Sequence, residues 1–137
     1  SKESRRNFES SRSQILIKLR SEIMPYINSK VTGKIDKVKE HIIKKRLGKA
    51  IELINGKSEE WLMINFENDC SLYFKGYELT KGAIIEVKIF GSASKEEYDR
   101  LTIEISNIYL EEIGIPTDKI YITYEEIKTW GWNKNNF

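Results

Sequence analysis

Two successive segments of the chain follow one pattern, in which a strand leads into an amphipathic helix that ends at a glycine before a second strand. The first copy begins at Pro25 and its helix ends at Asn55-Gly56, and the second begins at Ala83 and its helix ends at Gly114. Parallel strands require a crossover connection of this kind. We therefore predict an α+β fold in which two strand-helix-strand repeats form one mostly parallel sheet with both helices on one face.

Apolar periodicity gives the approximate bounds of these elements. Four segments have the apolar pattern of strands, and we expect the one at 61–66 to be buried: residues 25–31, 61–66, 83–90 and 120–124. Two sets of apolar residues recur at helical spacing: Ile35, Val38, Ile42, Leu47, Ala50, Ile51 and Ile54, and then Tyr98, Leu101, Ile105 and Ile108. Ser94 and Glu97 have the spacing of a capping box, which predicts the start of the second helix.

The strand at 83–90 indicates that the protein self-associates. It carries apolar residues on both faces, since Ile84 and Ile85 are adjacent and successive side chains point to opposite sides. We therefore expect both faces to be buried. Two helices cover one face only, and a chain of 137 residues has no further layer for the other. Oligomerisation is the economical way to cover it.

Composition excludes several classes of protein. A single cysteine excludes an intrachain disulfide framework and a multi-cysteine metal site, and a single histidine argues against a His-rich metal centre, so we expect no metal and no cofactor. The apolar runs are too short to span a membrane. Six basic and three acidic side chains lie in the first 24 residues, so the rest of a chain with net charge +2 is close to neutral. Its nearest basic cluster, Lys44-Lys45-Arg46, is better explained as a solvated helix face, and we expect no nucleic-acid partner.

The first 23 residues differ in composition from the remainder, and we expect the domain to span residues 24–137. Residues 14–23 have the spacing of a short amphipathic helix, but the segment lacks the apolar core of a signal peptide. It could be a native tail, a remnant of cloning or the product of a wrongly chosen start. Residues 20–24 can be encoded with a ribosome-binding box ahead of Met24, which favours Met24 as the initiator if the source is bacterial.

Short motifs at both ends of this domain occur in a joint order that is more specific than any of them alone. They are Met24-Pro25 ahead of a strand, Gly56-Lys57 ahead of the second strand, the stretch IPTDKIYITY at 115–124, Gly131-Trp132-Asn133, and the terminal Phe137. In this order and spacing they resemble the macrophage migration inhibitory factor (MIF) family of the tautomerase superfamily, over residues 24–137. The resemblance implies a homotrimer built by contacts between sheet edges.

The resemblance also implies the catalytic residues. Family members use an N-terminal proline as the base, and Pro25 matches it. Lys57 matches the family lysine that follows the first helix, although a solvated cation near a helix end is the plainer interpretation. Tyr121 matches a tyrosine that a neighbouring subunit supplies. Because Pro25 has residues before it, we expect the chain to be inactive until residues 1–24 are absent.

Four further residues are predicted to bind the substrate. The resemblance implies that the backbone amide of Phe90 lines the pocket and that Trp132 and Phe137 contribute aromatic walls. Tyr26, next to Pro25, could add a further aromatic surface. The sequence departs from the family at Thr123, where an asparagine is usual, and it lacks the Cys-x-x-Cys of thiol-disulfide activity.

These features predict a cofactor-independent keto-enol tautomerase that acts on a small aromatic keto or enol acid of the phenylpyruvate or dopachrome type. The alternative is a non-catalytic MIF-like binding protein, which engages a protein receptor through the surface of its trimer. An internal Pro25 and Thr123 both favour this alternative. We expect a cytoplasmic location, with release without a signal peptide as a further option.

Overall fold

A computed structural model describes residues 2–7, 9, 12 and 24–137, and the amphipathic helix predicted for residues 14–23 lies outside these described residues. Residues 2–7, 9 and 12 are helical and exposed. From residue 24 onward the chain forms eight strands and two α-helices. The strands are β1 (Pro25–Val31), β2 (Met63–Glu67), β3 (Tyr73–Phe74), β4 (Tyr77–Glu78), β5 (Ala83–Phe90), β6 (Ile120–Ile127), β7 (Gly131–Trp132) and β8 (Asn135–Asn136). The helices are α1 (Lys37–Ala50) and α2 (Lys95–Ile113), with short 3₁₀ turns at Ile51–Leu53, Glu59–Trp61 and Thr117–Lys119.

The main sheet has the strand order β2-β1-β5-β6. Strand β1 runs parallel to β2, and β5 runs parallel to β6, whereas the two central strands β1 and β5 are antiparallel. Each parallel pair is joined through one helix, so the chain forms two strand-helix-strand repeats side by side. The predicted fold is confirmed, and the described residues contain no helix long and apolar enough to cross a bilayer.

The two helices pack on one face of this sheet and form a single core with it. Alternate residues of β1 and β5 are fully buried against the helices, among them Ile27 and Ile85, together with Leu101 and Ile105 of α2. The hydroxyl of Tyr109, also fully buried, donates a hydrogen bond of 2.6 Å to Ser29 Oγ. This bond keeps the one buried serine of β1 satisfied, because a buried hydroxyl without a partner is costly.

Two of the residues predicted to face the core from the first helical segment lie on the outer side of α1, while the other five are buried as expected. Val38 and Ile42 are 71% and 37% exposed, whereas Ile43 and Leu47 are fully buried. Residues four apart lie on the same side of a helix, so Val38 and Ile42 share the outer side while Ile43 and Leu47 share the inner one. The prediction was wrong for the first pair because apolar residues occur on both sides of this helix.

Strand β2 lies at the edge of the sheet and is not the buried strand that was predicted. Its residues are half-buried at most, and Met63 is 70% exposed. Trp61 and Leu62 precede the strand and do not belong to it. An edge strand pairs on one side only, so its apolar residues remain accessible in the single chain.

The face of the sheet that the helices leave open is polar at its centre. Asn28 Nδ2 donates to Glu86 Oε1 at 3.2 Å, and Lys30 Nζ lies 3.0 Å from the same oxygen. The residues of β5 on this face are half-buried, while those facing the helices are fully buried. The expectation that both faces are buried therefore holds only in part, since this face carries hydrogen-bonded polar groups between apolar residues at the ends of the strand.

The predicted capping box at the start of α2 is confirmed. Ser94 Oγ accepts from the backbone amide of Glu97, and the Glu97 carboxylate accepts from the backbone amide of Ser94 at 2.9 Å. The same carboxylate accepts from the backbone amide of Asn55 at 2.6 Å, which ties the segment after α1 to the start of α2. The hydrogen bond from the backbone amide of Asn55, followed by those from the backbone amide and the side chain of Ser94, lowers the pKa of the Glu97 carboxyl.

This contact predicts a pH-dependent contribution of Glu97 to stability. A lowered folded-state pKa means that the contribution is present above the ordinary value of 4.5 and is lost as the pH falls. We expect Glu97→Gln to cost less than about 1 kcal/mol at pH 7, since the carboxylate is exposed, and to cost less still at pH 3. Urea unfolding at both pH values tests this, with the exposed neighbour Glu96→Gln as the control. An equal cost of Glu97→Gln at both pH values would contradict the assignment.

Candidate functional site

A cavity of about 520 Å³ opens at the start of β1. All three tryptophans of the chain line it, together with Pro25, which was predicted as the base, and the adjacent Tyr26. The lining residues are Met24, Pro25, Tyr26, Glu60, Trp61, Leu62, Met63, Trp130, Gly131 and Trp132. The cavity is therefore mainly apolar and aromatic, which is typical of a small-molecule site.

Three separate segments build this cavity. Because β1 and β2 are parallel, their first residues lie side by side, and Tyr26 is opposite Met63. The 3₁₀ turn at Glu59–Trp61 places Trp61 ahead of β2, and the terminal hairpin of β7 and β8 brings Trp132 against it. The rings of Trp61 and Trp132 meet edge to face with their centroids 4.9 Å apart. This geometry is favourable for aromatic pairs and holds the two walls together.

Pro25 is buried, and its nitrogen is an amide in this chain because Met24 precedes it. Met24 is only 3% exposed, and its carbonyl oxygen accepts a hydrogen bond of 3.0 Å from the backbone amide of Phe90. Phe90 is the residue whose amide was predicted to line the pocket. The Phe90 N–H donor therefore lies beside Pro25, but it is already hydrogen-bonded to the Met24 carbonyl.

Lys57 is buried behind the cavity and does not line it. It is 6% exposed, and its Nζ donates to the carbonyl oxygen of Phe90 at 2.9 Å. The plainer interpretation, that Lys57 is a solvated cation near a helix end, is wrong. A buried ammonium group needs hydrogen bonds or opposite charge to offset its desolvation, and the Phe90 carbonyl supplies one such bond.

Tyr121 lies far from Pro25 within a single chain. It pairs with Ile84 of β5, whereas Pro25 pairs with Ile89, which is roughly 16 Å further along that strand at about 3.3 Å per residue. Tyr121 is 59% exposed and packs edge to face on Phe74 at 5.7 Å between centroids. One chain therefore does not bring Tyr121 to the cavity.

Phe137 does not line the cavity but holds a lining residue, Trp130, in place. Its backbone amide and carbonyl form two hydrogen bonds, of 2.8 and 3.0 Å, with the backbone of Trp130, and Phe137 is not among the lining residues. Trp130 itself lies edge to face with Phe90 at 6.4 Å between ring centroids. Phe137 thus closes the hairpin that positions Trp130.

Seven of the ten lining residues were not proposed from the sequence, among them Trp61, Trp130 and Glu60. Trp61 was assigned to the strand at 61–66 that we expected to be buried, and Trp130 and Glu60 were not among the proposed site residues. The concentration of every tryptophan in two short segments was the signal that could have found them. Among the residues that the structure describes, no group of three or more His, Cys, Asp or Glu side chains could hold a metal ion.

Comparison with known proteins is consistent with this architecture. The family model of macrophage migration inhibitory factor (MIF) matches residues 24–136, and no curated protein matches the sequence. The structure of MIF2 from Leishmania major is 27% identical with a TM-score of 0.78, covering 84% of this chain and 98% of that one. A MIF homologue from Prochlorococcus marinus is 25% identical with a TM-score of 0.72, covering 82% and 98%. The structure of Pt0534 inactivated by 2-oxo-3-pentynoate, at 16% identity, a TM-score of 0.66 and coverage of 74% and 85%, shares the fold.

Proposed function

Because this chain belongs to the macrophage migration inhibitory factor family, we propose that it is a cofactor-independent keto-enol tautomerase when Pro25 is its first residue. Its substrates are small aromatic keto or enol acids of the phenylpyruvate or dopachrome type. The observation that carries the proposal is the position of Pro25, which is buried at the inner end of a cavity lined by all three tryptophans. Lys57 and the Phe90 amide lie next to that end.

A free N-terminal proline suits this site as a base. The nitrogen of an internal proline is an amide, and its lone pair is delocalised into the preceding carbonyl. A free secondary amine has an ordinary pKa of about 8, and apolar walls together with the nearby Lys57 ammonium disfavour its protonated form. Both effects bring the amine towards the working pH, where a general base is most effective.

The reaction then moves one proton from oxygen to carbon. The Pro25 amine accepts the enol hydroxyl proton, the oxygen becomes the ketone, and the protonated amine returns a proton to the adjacent carbon. No electron is gained or lost, so no cofactor is needed. Charge that develops on the substrate oxygen can be stabilised by the Phe90 amide, which Met24 no longer occupies once it is removed. The positive charge of Lys57, whose Nζ donates to the Phe90 carbonyl, adds a favourable electrostatic interaction from just outside the cavity. Tyr26 and Trp132 would hold the aromatic ring.

We propose that a homotrimer completes the site. MIF family proteins are typically homo-oligomeric, and two features of the single chain support association. Tyr121, near the start of β6 and remote from Pro25, is 59% exposed, and Met63 on the edge strand β2 is 70% exposed. Tyr121 of a second copy would then supply the hydroxyl that one chain does not bring to its own Pro25.

Covalent labelling of Pro25 tests the proposed base. We expect 2-oxo-3-pentynoate, the compound that inactivates Pt0534, to modify the chain that begins at Pro25. The amine adds to the alkyne carbon remote from the ketone and loses its proton, and the neighbouring carbon takes a proton, so the mass rises by that of the whole reagent. Peptide mapping should place the label on Pro25, with loss of tautomerase activity in proportion to labelling.

The control is the same chain with Met24 retained, in which residue 25 has no free amine. We expect its Pro25 to stay unlabelled under the same conditions. Labelling at other residues only, or labelling of Pro25 without loss of activity, would overturn the assignment of Pro25 as the base.

One observation favours a second function, which is that of a binding protein without catalysis. With Met24 in place, the nitrogen of Pro25 is acylated and the Phe90 amide is already paired. A chain that keeps this residue in its natural source would present the family fold to a receptor without an active base. Intact mass of the natural protein distinguishes the two functions, because a mass that begins at Pro25 favours catalysis and one that includes Met24 favours binding.

A further inference from the structure

The cavity has a buried reactive end and an exposed acidic end. Pro25 is buried, whereas Glu60 is exposed on the 3₁₀ turn at Glu59–Trp61. Glu60 is the lining residue that carries a full charge, and the others are apolar, aromatic or glycine. A ligand whose reacting carbon meets Pro25 therefore extends its far end past the tryptophans towards a carboxylate.

No cation of the described residues forms an ion pair with Glu60. The adjacent Glu59 is paired with Lys44 at 3.6 Å, but Glu59 does not line this cavity. Lys57, the cation nearest to the reactive end, is buried and donates to the Phe90 carbonyl. The charge of Glu60 at the mouth of the cavity is thus not balanced by a partner side chain.

The aromatic walls of the cavity add to the preference for a cationic ligand group that the Glu60 carboxylate creates. The faces of tryptophan rings carry negative electrostatic potential and attract cations. Trp61 follows Glu60 directly in the chain, and Trp132 packs on Trp61. A cationic group at the outer end of the cavity would meet ring faces and a carboxylate together, while an anionic group would be repelled by both.

From these observations we infer that Glu60 selects the substrate class of the proposed tautomerase. The preferred substrates are aromatic keto acids whose ring bears a cationic or hydrogen-bond-donating group at the end remote from the keto acid, and those with a second anionic group are disfavoured. This inference rests on the proposed function, since it assumes that the keto acid reacts at Pro25.

The test compares three substrates on the chain that begins at Pro25: phenylpyruvates with a 4-aminomethyl, a 4-methyl or a 4-carboxy group. At low ionic strength we expect kcat/KM for the aminomethyl compound to exceed that for the carboxy compound by about tenfold, because Glu60 attracts the first substituent and repels the second at a solvated site. Glu60→Gln should lower this ratio to about twofold or less, and Glu60→Lys should invert it. Added salt should reduce the ratio in the unmodified protein.

Glu59→Gln is the matched control, because it removes the adjacent carboxylate from a residue outside the cavity and should leave the ratio unchanged. Turnover of the neutral 4-methyl compound by Glu59→Gln should also remain within about twofold of the unmodified protein. A ratio that Glu60→Gln does not change would overturn the inference while leaving the tautomerase intact.

Absence of turnover for all three compounds in the unmodified protein would instead count against the proposed function. Binding then decides the inference by itself, because every tryptophan lines the cavity and quenching of tryptophan fluorescence reports its occupancy. Tighter binding of the aminomethyl than the carboxy compound, lost in Glu60→Gln, would support the charge selection. Equal binding of the two compounds would contradict it.

Discussion

The chain that begins at Pro25 is expected to tautomerise phenylpyruvate at least about 10⁴-fold faster than the same chain with Met24 retained. A general base contributes typically about 10² to 10⁴ to the rate, and an oxyanion donor about 10² to 10³. Retaining Met24 removes both at once, since it acylates the Pro25 nitrogen and its carbonyl occupies the Phe90 amide. Enol-ketone interconversion followed by absorbance measures the difference.

Two further chains make this comparison specific. The full chain with residues 1–24 should be as inactive as the chain that begins at Met24, and intact mass must confirm each N-terminus. Pro25→Gly in the chain that begins at residue 25 keeps a terminal amine but loses the ring, and it should be nearly inactive. Equal activity with and without residues before Pro25 would refute the proline mechanism.

The second large effect concerns the core beneath the sheet. We expect Ile105→Ala to lower the free energy of unfolding by about 3 to 4 kcal/mol, because Ile105 is fully buried and its truncation leaves a cavity in a packed core. Ile103→Ala removes the same atoms two residues away on α2, where the side chain is 62% exposed, and should cost less than about 1 kcal/mol. Urea unfolding of both variants measures the loss of unfolding free energy in each. Similar losses would mean that α2 does not turn its Ile105 side towards the core.

Much of the fold could be predicted because its signals are local. Strands β1 and β5 have the bounds that the apolar patterns indicated, and Ser94 with Gly114 marks both ends of α2. The inner face of α1 was predicted only in part. Leu47 and Ala50 are buried as expected, but apolar side chains occur on both sides of the helix and tertiary packing selects the inner ones. The burial of β2 was overestimated because the pattern of a strand does not say whether it lies at an edge.

The candidate site was predictable only in part. Pro25, Tyr26 and Trp132 were proposed from the sequence, and the structure brings them to one cavity. Trp61 and Glu60 reach it through a 3₁₀ turn, a short element that apolar periodicity does not indicate. Tyr121 lies on a different part of the surface, so its proposed role depends on a second copy of the chain, which no local pattern describes.

Titration of the Pro25 nitrogen tests the central claim most directly. The chain has two prolines, so proline labelled with ¹⁵N gives one signal from a terminal amine and one from the internal Pro116. In the chain that begins at Pro25, we predict that the amine titrates below the ordinary value of about 8, and that kcat/KM rises with pH at the same midpoint. Tautomerase activity whose pH dependence is unrelated to that titration would contradict the account.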